Sequence, residues 1–327
     1  MMMSMEMIEL TYQGAPLDMA EVGPLRRSND ALEDRDELHR RMGEDGYLFL
    51  PGLLDRDEVV AARQELCDRL YKAGMLDRDK PAIEGVVAPQ TQIDASATGP
   101  FMPELARDNA PLDKVIYDGA MMRFYDFFLG GPARHFDYTW FRAKQPGTTT
   151  ATTPHYDNVY MGRGTPNLYT SWTPFSDVPY AMGGLMLMEK SHEHEELVQG
   201  YGQTDVDLYC KNEGEAEAIV AAAQAVGREL TGEERQQIHW NSTGSYSDDA
   251  ITTREKWGGR WLVSEYEMGD VLVFCMHIMH ASSDNQSACI RLSSDSRYQL
   301  ASEKVDERWI GDDPPAHGIR AKRGMVC

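Results

Sequence analysis

From about residue 135 the chain is cut into short β-leaning runs that fit no helical period. Three of them, Tyr138–Ala143, Leu168–Pro174 and Leu185–Met188, are separated by turn residues. After a long interruption come three more, Trp261–Tyr266, Val271–Met276 and Ile290–Leu300. Many short strands punctuated by Pro and Gly predict an antiparallel sandwich or barrel. The preceding region reads differently. A helix is expected over about Leu32–Met42, closing at Gly43. The run Gly46-Tyr47-Leu48-Phe49-Leu50-Pro51-Gly52 suits a buried strand. Asp55 can cap a second helix, whose stripe is Val59, Ala62, Leu66 and Leu70. Prolines through 75–112 predict loops, and a helix over Asp113–Leu129 is stopped by Gly130-Gly131-Pro132. The expected fold class is therefore mainly β with flanking N-terminal helices. Residues 1–30 show no clear period and read as an arm before one domain over 31–327. Val198–Gly259 reads as an insertion between core strands, with a helix over Glu213–Val226 and a polar loop over Asn241–Thr253. Its size suits a lid or an oligomer contact, and a homo-oligomer is compatible with it. Trp257, Trp261, Trp240, Tyr246 and His239, in or beside it, suit an aromatic lid or equally a satellite core.

Composition narrows the classes of partner. The 327 residues carry a formal net charge of −21. That sign repels phosphate backbones and anionic lipid, which argues against nucleic acid and membrane surfaces and for a small-molecule substrate. No run approaches the roughly 18 apolar residues that span a bilayer. Met1–Leu10 lacks the basic and apolar segments of a signal peptide. The five cysteines, Cys67, Cys210, Cys275, Cys289 and Cys327, are odd in number and widely spaced. They read as reduced thiols, so a cytoplasmic location is expected.

Three features carry chemistry. His155-Tyr156-Asp157 follows a turn-like Thr148–Pro154. If it is a strand, residues two apart share a face, so imidazole and carboxylate can meet one metal ion. His280 sits where the apolar strand after Gly269-Asp270 ends, and His277, an odd number of residues away, should face elsewhere. Arg291 opens the strand-like run that follows. Taken singly, each is ordinary: a solvated pair, a hydrogen-bonded core histidine, a surface arginine. Taken together they are not. Two histidines and one carboxylate on adjacent strands leave coordination positions open, the arrangement of non-haem Fe(II) sites. A guanidinium beyond the distal histidine can hold the far carboxylate of 2-oxoglutarate bidentately. Zinc hydrolysis more often uses three histidines, or two and a glutamate.

The ordered blocks resemble the phytanoyl-CoA dioxygenase family of Fe(II)/2-oxoglutarate-dependent oxygenases. Asp45-Gly46-Tyr47 to Leu53, Phe141–Gly147, the His155-x-Asp157 motif, Ser171–Pro174, Gly183–His192 and Gly269–Tyr298 follow the family's order. The last block, with His280, Ser282, Asn285, Ser287, Arg291, Ser293 and Arg297-Tyr298, is the most specific. Glu189-Lys190 stands where the family has Pro-Gly, and the 198–259 insertion is longer than its pattern. The resemblance implies a double-stranded β-helix (jelly roll) with N-terminal helices packed on it. It implies His155, Asp157 and His280 as iron ligands. Arg291 would bind the distal carboxylate of 2-oxoglutarate with Ser282 hydrogen-bonding near it, Trp172 would line the cosubstrate pocket, and Phe141 would sit beside it. O2 is the co-reactant, with succinate and CO2 released as a C–H bond is oxidised. An aspartate at 157 points to oxygenation, because halogenating relatives leave that position small. The competing readings are a catalytically silent metal- or ligand-binding jelly roll and a cupin-like isomerase or hydrolase.

Overall fold

The computed structural model describes residues 9–89, 101–147, 151–207, 216–228, 230, 231, 233, 234, 244–317 and 319–321. Its strands are β1 Thr11–Tyr12, β2 Ala15–Pro16, β3 Val22–Pro24, β4 Tyr47–Leu50, β5 Ala133–His135 and β6 Trp140–Lys144. They continue as β7 Tyr169–Pro174, β8 Leu185–Met188, β9 Trp261–Val263, β10 Val271–Cys275, β11 His280–Ser282 and β12 Arg291–Leu300. The major sheet runs β4-β10-β7-β12-β5, with β6 also paired to β12, and the minor sheet runs β11-β8-β9-β3. Both follow the expected jelly-roll layering, and among the named strands of the described residues one pair departs from antiparallel order. β3 lies parallel to β9, Val22 opposite Trp261. Part of the expected arm is thus built into the minor sheet. Strands of two or three residues are too short to show an alternation in sequence.

Period-two alternation assigns the two faces of the major sheet. Leu48, Leu50, Phe141, Ala143, Val271, Val273, Leu292 and Tyr298 pack outward into one cluster with the helices. Those helices are α1 Arg35–Asp45, α2 Arg56–Lys72, α3 Ala110–Ile116 and α4 Gly119–Leu129. The opposite face turns toward the minor sheet. Tyr47, Phe49, Trp172, Leu272 and Phe274 meet Leu185, Leu187 and Leu262 there, forming the apolar end of the barrel interior. The other end is polar: Arg291, Ser293, Asp295 and Arg297 alternate along β12 and are all buried.

Local chemistry shifts three helix boundaries. α1 is capped by Asp34, whose side chain accepts from the Glu37 amide, and it runs through Gly43 to Gly46. Gly46 has φ 77°, and a Cβ there would lie 2.7 Å from His192 Nδ1. The close approach puts the left-handed stop at Gly46; a single helical glycine costs only about 1 kcal/mol. The helix expected over Asp113–Leu129 is two helices, because Asp118 caps a new start at Gly119. In the insertion, Ala216–Ala225 forms the expected helix, α7, after the short helices α5 Asn158–Met161 and α6 Glu195–Gln199. The loop expected through Thr253 instead ends at Asp249, which caps α8, Ala250–Trp257, by accepting from the Ile251 and Thr252 amides. The β-branched Ile-Thr-Thr start concealed that helix. Among the described residues, no helix is long and apolar enough to cross a membrane.

Candidate active site

β11 begins at His280, and His155 pairs with it as an isolated antiparallel bridge. Each backbone amide donates to the other's carbonyl at 3.1 Å. This reciprocal pair sets the two imidazoles side by side, ring centroids 4.1 Å apart. Asp157 reaches them differently from the strand-face expectation: the chain turns at Asp157 into α5, with Asp157 itself at φ −63°, ψ −28°. Its carboxylate does not cap that helix and faces the histidines. One ligand atom from each of His155, Asp157 and His280 lies within 4.8 Å of the others, and all three residues are buried.

Hydrogen bonds fix which atoms face inward. His155 Nδ1 lies 2.7 Å from the Thr153 carbonyl, and His280 Nδ1 lies 3.1 Å from the Ile278 carbonyl. A carbonyl only accepts, so each Nδ1 carries the proton and each Nε2 presents a lone pair. Those Nε2 atoms lie 3.9 and 3.7 Å from Asp157 Oδ1. The other carboxylate oxygen, Oδ2, accepts from the Thr170 hydroxyl and from Arg297 Nη2 at 3.0 Å. Burial pushes the His155 pKa down to about 3, with His280 adding to the shift, and burial likewise lowers that of His280. Burial alone would raise Asp157, but Arg297, His280 and His155 hold it below the usual carboxylate range. The donor set is two neutral imidazoles and one carboxylate, which fits a divalent metal with open positions. His277 stays outside it, edge-on to Tyr156 at 5.8 Å.

Beyond the histidines lies a second polar cluster. Arg291, 1% exposed, donates from Nη1 to the Gly183 carbonyl at 2.7 Å and sits 5.6 Å over the Trp172 ring. Its Nε, the Trp172 Nε1 and the Ser293 Oγ are buried without a hydrogen-bond partner. Lys144, opposite Arg291 across the β6–β12 ladder, donates to Ser282 Oγ at 3.0 Å and to the Ser283 carbonyl. Ser282 Oγ also accepts from the Thr152 amide at 2.8 Å, so its O–H remains free to donate. Among the described residues no carboxylate forms an ion pair with Arg291 or Lys144. Burial, and next Arg142, push Arg291 down to about 10; burial, and next Arg291, push Lys144 well below the ordinary lysine value. Orphaned buried donors around uncompensated cations fit a small dicarboxylate such as 2-oxoglutarate.

Of the seven site residues expected from sequence, the structure gathers His155, Asp157 and His280 at one point, and Arg291, Trp172 and Ser282 around the adjoining cluster. Phe141 is not with them. It faces the helix layer, 6.0 Å from Phe175, because β6 turns Trp140, Arg142 and Lys144 inward instead. The sequence reading did not assign roles to Lys144, Thr170 and Arg297, although inward alternation with Arg291 was the signal for Arg297. Of the two readings left open for the aromatic residues in or beside the insertion, the described ones fit core packing. Tyr246, Trp257 and Trp261 pack with the minor-sheet core, Trp261 Nε1 donating to the Ala250 carbonyl at 3.1 Å. His239 and Trp240 lie outside the described residues.

A cavity of about 340 Å³ opens on the metal-facing side. Its walls include Phe101, Trp140, Tyr160 and Met161, with Arg142, Ser245, Arg297 and His317 among the polar groups.

The comparisons agree with this geometry. The chain is 26% identical over 286 residues to the 1-deoxypentalenic acid 11-beta-hydroxylase of Streptomyces exfoliatus, covering 83% of each chain. Its fold is similar to that of EctD from S. alaskensis, solved with 2-oxoglutarate and 5-hydroxyectoine (TM-score 0.53, 15% identity, 98% of this chain and 93% of that one). It is also similar to SnoN, the non-haem α-ketoglutarate-dependent epimerase of nogalamycin biosynthesis (TM-score 0.52, 16% identity, 88% and 93%). The family model for phytanoyl-CoA dioxygenase (PhyH) matches residues 42–293, a span that holds the metal-facing triad and Arg291. The chain therefore belongs to the phytanoyl-CoA dioxygenase family, and it is a non-haem-iron, 2-oxoglutarate-dependent oxygenase.

Proposed function

We propose that this enzyme oxidises a C–H bond of a small molecule, with hydroxylation as the outcome, and that His155, Asp157 and His280 hold the iron. The observation that carries the reading is an open three-ligand site beside a buried guanidinium that no described carboxylate neutralises. An unpaired buried cation is costly by several kcal/mol, so it is understandable only if an anion arrives to meet it. Arg291 and Ser282 are assigned to the distal carboxylate of 2-oxoglutarate, Lys144 to the same anion, and Trp172 to the wall behind it.

Bound there, iron and 2-oxoglutarate supply the oxidising chemistry, in which O2 is consumed, the keto acid leaves as succinate and CO2, and a substrate C–H bond is oxidised. The protein's share is placement and electrostatics. The Thr153 and Ile278 carbonyls hold the two Nδ1 protons, so both Nε2 lone pairs stay aimed inward. Thr170 and Arg297 hold Asp157 Oδ2, leaving Oδ1 for the metal. Phe101, Trp140 and Tyr160 give the cavity beside the metal ligands aromatic surface. The carboxylate at 157 fills the position that a halide would need, which supports oxygenation. The hydroxylase relatives at 26% identity support hydroxyl transfer over other outcomes.

The test is anaerobic Fe(II) and 2-oxoglutarate binding, read from the visible iron–keto-acid absorption band, followed by succinate release on adding O2. Wild type should give both, and His155→Ala and Asp157→Ala neither. Succinate above background in both variants would overturn the ligand assignment.

A further inference from the structure

We propose that the substrate is an alicyclic or aromatic carboxylic acid whose carboxylate is received by Arg142. The inference rests on the oxygenase reading above and names the substrate class for that site.

Arg142 points inward from β6, opposite Ser293 on β12, and lines the cavity beside His155 and Asp157. Its Nε donates to Asp295 Oδ2 at 2.7 Å. That bond anchors the guanidinium through one edge. Nη1 and Nη2 have no acceptor among the described residues, and the side chain is 22% exposed, toward the cavity it lines. A guanidinium held by Nε with both terminal nitrogens free presents a fork matched to a carboxylate. Arg297, on the same wall, adds a buried Nη1 without a partner.

The charges point the same way. Four cationic side chains, Arg142, Lys144, Arg291 and Arg297, face this interior, against Asp157, Asp295 and the neighbouring Asp284. A divalent metal and a dianionic keto acid cancel one another. A positive surplus therefore remains after both are bound, and it favours one further anion and disfavours a cationic substrate. The rest of the wall is mixed: Phe101, Trp140 and Met161 offer apolar surface to a ring body, beside the polar Thr153, Ser245 and His317. At about 340 Å³ the cavity is the size of a small-ligand pocket. Apolar body and single anionic handle together define the class.

The experiment uses the full chain, anaerobic, with Fe(II) and saturating 2-oxoglutarate. Adamantanecarboxylate, cyclohexanecarboxylate and decalincarboxylate are titrated by calorimetry, each beside its primary amide and methyl ester. The carboxylates should bind about 10- to 100-fold tighter than their neutral counterparts, the range of a charged hydrogen bond. Arg142→Gln should erase that preference while binding the amides as wild type does. Arg142→Lys, which keeps the charge and loses the fork, should retain part of it and serves if the glutamine variant does not fold. Equal binding of acid and amide, no binding by any of the acids, or a preference that survives Arg142→Gln would overturn the assignment. So would a glutamine variant that weakens only 2-oxoglutarate binding. The visible band of wild type with 2-oxoglutarate separates the two levels: without it the oxygenase reading fails, and with it a missing acid preference sinks this inference alone.

Discussion

Arg297 Nη2 lies 3.0 Å from Asp157 Oδ2, with both side chains 3% exposed. The guanidinium is stacked 4.5 Å over the Trp140 ring and bonded to Met161 Sδ, so it has little freedom to move. It holds the carboxylate ionised and turns Oδ1 toward the histidines. Removing such a partner typically costs 10- to 100-fold in metal affinity. Arg297→Gln should weaken Fe(II) or Co(II) binding by about that factor, measured by competition with a chromophoric chelator. Unchanged affinity would show that Thr170 alone orients Asp157.

Gly183 gives a second prediction, because its carbonyl accepts from Arg291 Nη1. It has φ 72°, and a Cβ there would lie 2.4 Å from the Asp284 carbonyl oxygen and 2.5 Å from that of Ser283. Both are backbone atoms that cannot rotate away. Gly183→Ala should therefore lower stability by on the order of 1–3 kcal/mol and raise the 2-oxoglutarate requirement in the same variant. Denaturant unfolding and a cosubstrate titration read the two effects. A destabilised variant with normal 2-oxoglutarate affinity would mean that Arg291 does not depend on this carbonyl.

Tyr246 and Trp257, the aromatic residues of the insertion packed against the minor-sheet core, give a third prediction. Trp257 meets Tyr246 edge-on at 6.1 Å and His194 at a tilt at 5.8 Å, and it does not line the cavity. Trp257→Ala should cost on the order of 2 kcal/mol of stability and leave metal and 2-oxoglutarate affinity unchanged. A large loss of cosubstrate affinity at normal stability would restore a lid role.

These residues also show what a sequence can reveal. His280 was legible because it ends an otherwise apolar strand, and the His155-x-Asp157 spacing and Arg291 gained meaning only when set beside it in order along the chain. The core strands were legible as short β-leaning runs separated by turn residues. Phe141 was misplaced because a one-residue error in a strand's phase moves a side chain to the opposite face. The run assumed over Tyr138–Ala143 leaves the inward phase unspecified, whereas the pairing of Lys144 with Arg291 fixes it. Asp157 was expected on a strand, but it converges through a turn, which no alternation encodes. The Glu189-Lys190 departure is absorbed locally. Lys190 takes the left-handed conformation at φ 61°, and its neighbour Glu189 pairs with Arg260 at 2.6 Å. β3 and α8 were hidden because one is too short for a period and the other starts with poor helix formers.

Lys144 carries the pH prediction. Burial lowers its pKa well below the ordinary lysine value, and Arg291 nearby lowers it further, while Asp284 opposes the shift. In the free enzyme the ammonium therefore loses its proton at a lower pH than a solvated lysine does. An anion bound against it favours the charged form and raises the pKa again. Between the free and bound values the complex holds more protons than its separated components, so binding takes up a proton, and affinity falls as pH rises through the free-enzyme value. The 2-oxoglutarate dissociation constant should thus increase with pH over that window. Calorimetry in buffers of different ionisation enthalpy should detect the proton uptake. Lys144→Met should bind more weakly at low pH, lose the uptake, and show a flatter pH dependence. A wild-type dissociation constant that does not change up to the ordinary lysine range would mean that Lys144 does not meet the cosubstrate, leaving Arg291 and Ser282 as its protein contacts.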